Sequence, residues 1–141
     1  VIPVVDVSAD ETKKITVANL ITAQARTFTA AQRGDISAVA VAAGDTTKQL
    51  NFATANNFAL TLANTASCQL DNPSDLTAGQ AGSIFIVQSS AGSHLLSYDT
   101  AWDFAGGTAP TLSTAADAVD RIDYIVRSAT SIHAVFTANY S

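Results

Sequence analysis

Two stretches of this chain place a large apolar side chain at every second position, a period that suits strands and not helices. Phe58, Leu60 and Leu62 alternate with Ala59 and Thr61, and Ile122, Tyr124 and Val126 alternate with Asp123, Ile125 and Arg127. Such a period sends successive side chains to opposite faces of a sheet. A third stretch runs Ile84, Phe85, Ile86, Val87 without a polar break, which predicts a strand covered on both faces. Composition points the same way. The 17 Thr residues, with Val and Ile, suit a pleated surface. Strong helix formers other than Ala are scarce. Ala, Thr and Ser account for 57 of 141 residues, 27 of them Ala, so few large side chains remain for a core.

Turn residues divide the chain into short strands. A strand over 36–42 precedes the turn at 44–47, and 49–53 follows with Leu50 and Phe52 on one face. Asn56-Asn57 then reads as a hairpin connection into 58–62. A strand over 65–70 ends at Asn72-Pro73, and a loop over 73–82 leads into 83–88. Ala91-Gly92 turns the chain into a returning strand over 94–98, and 99–110 is irregular. Residues 121–127 and 132–137 form a closing hairpin around the turn at 128–131. Strand spacing of roughly 8–12 residues predicts an all-β fold, an antiparallel β-sandwich or jelly-roll-like domain over 35–141.

Residues 1–34 differ. The opening VIPVVDV is extended, and Pro3 favours an edge or an arm. Thr16 is placed to cap one short helix carrying Val17, Leu20 and Ile21. This part is either an ordinary packed element or an N-terminal arm or linker, whose assembly contacts would come from Val1, Ile2, Val4, Val5 and Val7. A chain that starts at Val1 and contains no Met is expected to be a processed or partial product. No charged and then apolar leader is present in its first seven residues.

Charge narrows the partners. Net charge is −5, with seven Lys and Arg in all. Nucleic acid is therefore not expected, because phosphate contacts need clustered bases. No run of 18 apolar residues predicts membrane insertion. So little charge on a β-rich chain predicts that much of its surface meets protein, as in a homo-oligomer.

Motifs for chemistry are scarce. The single Cys68 allows no internal disulfide and no cysteine-based zinc site, and its apolar setting predicts an inert buried thiol. His94 and His133 have no partner at metal-ligand spacing and read as imidazoles on sheet faces. Asp71 with Asp75, and Asp99 with Asp103, lack the order of a calcium loop and read as local turn formers. No nucleophile elbow, phosphate loop or dinucleotide fingerprint occurs. Neither an enzyme nor a cofactor or metal is expected. Tyr98, Trp102 and Phe104, with Asp99 and Asp103, cluster around a glycine-rich loop. If exposed, they would stack on a sugar ring. If buried, they plug the end of the fold, which is the weightier expectation.

The segments DNPSDLTAGQAGSIFIVQ at 71–88, AWDFAGGTAPTL at 101–112 and DRIDYIVRSATSIHAVFTANY at 120–140 together resemble a C-terminal module of tailed-bacteriophage virion structural proteins. The likeness runs from about residue 45 to the end. VIPVVDVSADETKKITVANL at 1–20 separately resembles a segment that precedes such modules in phage fibre chains. The resemblance implies a non-catalytic, virion-borne component of the tail-fibre or capsid-decoration kind. It would assemble as a homotrimer and contact capsid, baseplate or fibre-shaft proteins. It also implies an alternative, a fibre adhesin binding a host-surface glycan through 98–104.

Overall fold

The computed structural model describes residues 2–6, 11–15, 31 and 33–140. The chain divides into two compact units, Val1–Arg33 and Gly34–Ser141. In the first, β1 (Ile2–Asp6) pairs antiparallel with β2 (Glu11–Ile15), Ile2 opposite Ile15. Ile2, Val4 and Val5 of the expected arm thus lie in a hairpin strand. Val1, Val7 and the helix expected from Thr16 lie outside the described residues.

The second unit is all-β apart from one short 3-10 turn, Ala105–Gly107. Its strands are β3 (Ile36–Val41), β4 (Thr47–Lys48), β5 (Asn57–Leu62), β6 (Cys68–Leu70), β7 (Ala81–Gln88), β8 (Leu96–Tyr98), β9 (Trp102–Phe104), β10 (Val119–Ser128) and β11 (Ser131–Thr137). They form a six-stranded sheet ordered β3-β5-β7-β10-β11-β9 and a three-stranded sheet ordered β4-β6-β8. The chain alternates between the two. Each of its first three passes leaves one strand in each sheet, parallel to the strand of the pass before. Main-chain bonds continue the match around the bends: Ala63 N–H donates to Val41 O, Thr65 to Ala43 O, Gln69 to Thr46 O and Asp71 to Lys48 O.

Antiparallel pairing, expected throughout, is confined within this unit to β7-β10 and β10-β11. Asn56-Asn57 is not a hairpin connection: Asn57 opens β5, which lies between two parallel neighbours. The 94–98 stretch does not return along β7 either. It crosses to the second sheet, where Leu96 stands beside Cys68. A parallel match requires the chain to cross over before it re-pairs, and local turn chemistry carries no sign of that. The closing hairpin forms as expected, with Ile122 opposite Phe136 and a bulge between Val126 and Ser128.

One buried cluster lies within the unit. Phe58, Leu60 and Leu62 point into it from β5, Ile84 and Ile86 from β7, Ile122, Tyr124 and Val126 from β10, and Cys68 and Leu70 from β6. Parallel register stacks like on like, so Val39, Leu60 and Ile86 form one column. Phe52 fills the middle, stacked on Phe58 at 5.5 Å and on Tyr124 at 4.7 Å between ring centres. Gly82 is required where β7 passes Asn56, because a Cβ there would enter the Asn56 carbonyl.

Candidate functional site

The aromatic cluster lies at the β9 edge of the six-stranded sheet. β9 runs parallel to β11, with Trp102 beside Ile132 and Asp103 beside His133. Trp102 is buried, and its indole N–H donates to Asp71 O at 3.2 Å. Tyr98 meets Trp102 and Phe104 edge to face, at 6.3 and 4.8 Å. Trp102 thus plugs the core, as the weightier expectation had it, and Phe104 packs half-buried against it.

Phe104 also lines three adjoining cavities. One of about 180 Å³ brings together Tyr98, Trp102, Asp103 and Phe104 with Gly107 and Ala109. Another of about 270 Å³ lies between Asp103, Phe104 and Ala105 on one side and His133 and Val135 on the other. The third, of about 210 Å³, runs from Phe104 to Pro110 and Phe136. Four of the five predicted contact residues therefore line one cleft. Asp99 is turned to its own bend, where its carboxylate accepts from Thr100 N–H at 2.7 Å. Asp103 is exposed, and one of its oxygens accepts from Ser131 Oγ at 2.6 Å. Gly106 and Gly107 hold the left-handed backbone, with φ of 75° and 70°, that bends the cleft wall.

A second polar cluster was not legible in sequence. His94 is not a sheet-face imidazole. It is buried at the bend before β8, with Nδ1 2.6 Å from Asn64 O and Nε2 2.7 Å from Ser89 Oγ. With the Nδ1 proton directed at the carbonyl, Nε2 accepts from the serine. This resembles a nucleophile–base pair, but the third member is a backbone carbonyl and no carboxylate. The cavities around Phe104 are lined by other residues.

Its neighbours show what the cluster does. The Gln88 side chain is buried, donates to His94 O and accepts from His94 N–H, both at 2.9 Å. Asn64 donates to Leu95 O at 3.0 Å. Asn72 accepts from Ala101 N–H at 2.7 Å, and Gln49 donates to Asn72 O at 2.8 Å. Buried Asp120 accepts from Ser113 N–H at 2.7 Å and Asn139 N–H at 2.8 Å. Each of these side chains closes a bend or ties one pass to the next.

His133 stands exposed on β11. Among the described residues no three His, Cys, Asp or Glu gather as metal ligands, and no helix is long and apolar enough to cross a membrane. Cys68 is buried, and burial pushes its thiol above the ordinary range, with the charge of Asp45 adding to it. No protein-family model, curated protein or solved structure matches the chain.

Proposed function

We propose that this chain is a structural component of a bacteriophage particle, a self-assembling trimer of the tail-fibre or capsid-decoration kind that acts through protein contacts. The observation that carries the structural part is the use made of its polar interior. Gln88, Asn64, His94 and Asp120 are buried and hydrogen-bonded to the backbone of bends. Side chains so committed hold the shape of the bends. The phage assignment is supported by the resemblance at 71–88, 101–112 and 120–140. The sandwich-like reading of the fold is supported by two sheets that contribute to a single core.

Two measurements test this. Light scattering of the purified chain is expected to give three times the mass of one subunit. An antibody raised against it is expected to decorate particles of the encoding phage at a fixed position. A solitary subunit and bare particles would overturn the proposal.

A second reading, a glycan-binding adhesin, is favoured by the cleft that unites Tyr98, Trp102, Asp103 and Phe104. Trp102 is buried, so Phe104 is the ring placed to meet a sugar, with Asp103 beside it as acceptor. A glycan array is expected to show binding that Phe104→Ala removes. Signals unchanged by that substitution, or absent throughout, would remove this reading.

A further inference from the structure

Resting on the adhesin reading of the Phe104 cleft, we propose that its ligand is a single sugar ring bearing a free, protonated amino group, held by the carboxylate of Asp103. Asp103 lines both the 180 Å³ and the 270 Å³ cavity. β9 is an edge strand of its sheet, so a group lying against that edge can reach Asp103 and Phe104, although the two alternate along the strand. Each cavity is smaller than the about 300–1,000 Å³ of a drug-sized site, which suits one ring and not a chain.

Charge selects the ligand. The ionisable side chains lining the three cavities are Tyr98, Asp103 and His133, and neither Lys nor Arg is among them. Among the described residues Asp103 forms no ion pair. Its Oδ2 accepts from Ser131 Oγ at 2.6 Å, and its Oδ1 accepts from no described residue. Ser131 is itself buried, so its hydroxyl fixes the rotation of the carboxylate. The open oxygen is thus in place before a ligand arrives, which lowers the ordering cost of binding. A carboxylate can only accept, so its match is a donor of opposite charge. Ammonium–carboxylate hydrogen bonds are about twice as strong as neutral ones. A uronate or a phosphorylated sugar would bring like charge to Asp103, with no Lys or Arg to balance it.

The remaining walls suit a sugar ring. Phe104 is half-buried and braced edge to face by Tyr98 at 4.8 Å, which leaves an aromatic surface for the apolar side of a pyranose. An ammonium close to that ring gains a further attraction. His133 stands beside Asp103 on β11, where its ring nitrogens can meet a sugar hydroxyl as donor or acceptor.

The test is ligand-observed NMR titration of the full chain with methyl glucosaminide, its N-acetyl form, methyl glucoside, methyl glucuronide and Nα-acetyl-lysine amide. Variants are Asp103→Asn, Ser131→Ala and Phe104→Ala. Asp35→Asn, ahead of β3 at the opposite edge of the sheet, controls for net charge. The free-amine sugar is expected to bind tightest and the glucuronide weakest. Asp103→Asn is expected to weaken the free-amine sugar about tenfold or more and leave the neutral glucoside unchanged. Ser131→Ala is expected to weaken it less, and Asp35→Asn not at all. Neutral and N-acetyl sugars binding as tightly as the free amine, with all lost in Phe104→Ala, would leave the adhesin reading standing and overturn this inference. Equal binding of the lysine amide would overturn the sugar as carrier of the amine. Binding that survives both Asp103→Asn and Phe104→Ala would place the site elsewhere. If no amine binds, the inference fails, and the glycan array decides separately whether the adhesin reading fails with it.

Discussion

Gln88 stands where the two passes before it place Val41 and Leu62 in the same column. Its amide holds both the N–H and the C=O of His94. Gln88→Leu would restore the hydrocarbon column but leave those two backbone groups unpaired. We expect a loss of about 2–3 kcal/mol in denaturant unfolding, since each buried unpaired group costs about 1–3 kcal/mol. Tyr98 presents the opposite case. Its buried hydroxyl has no hydrogen-bond partner among the described residues. Tyr98→Phe is expected to leave stability unchanged or raise it by up to about 1 kcal/mol, and a clear loss would reveal a hidden partner. The buried phenols also set the alkaline limit. Burial holds Tyr124 up to about 12 and pushes Tyr98 higher still, the latter with help from Asp120. A raised phenol stabilises the fold fully below its unfolded value near 10, and that contribution disappears as pH climbs through the folded value. Melting temperature is therefore expected to fall between about pH 10 and pH 12. Tyr124→Phe should make that fall shallower while losing one hydrogen bond, to Asn56 O at 2.7 Å.

Among elements, the parallel columns concentrate the consequences of substitution. Leu60 lies between Val39 and Ile86 and is fully buried. Leu60→Ala is expected to cost about 3–4 kcal/mol by opening a cavity that rigid neighbouring strands cannot close. Gly82→Ala would push a methyl into the Asn56 carbonyl at the junction of β5 and β7, with an expected loss on the order of 3 kcal/mol in the same assay. The period of two made Phe58, Leu60 and Leu62, and likewise the β10-β11 hairpin, readable from sequence, because alternation and a short turn are local signals. The parallel pairing was not readable. Phe58 meets Ile84 only after the chain has visited the other sheet, and the intervening residues carry no mark of which strand they will rejoin. The Tyr98–Phe104 cluster was legible because its members are near in sequence. The Ser89–His94–Asn64 contact was not, since Asn64 arrives from the preceding pass.

For the whole molecule, winding dictates how it forms. β5 must find β7, and β7 must find β10, across intervening loops, so few native contacts are local. Pairings of this kind fold on a timescale of about milliseconds to seconds. Stopped-flow refolding of the dilute chain should show no sub-millisecond phase that completes the strand signal. The pass-on-pass construction has a further consequence for length. In the six-stranded sheet β10 lies against β7 in the opposite direction, so no additional parallel pass fits after β7 there, whereas β3 and β8 are left as sheet edges. A chain lengthened by one whole pass would have to take it ahead of β3 or between existing passes, with the closing hairpin untouched.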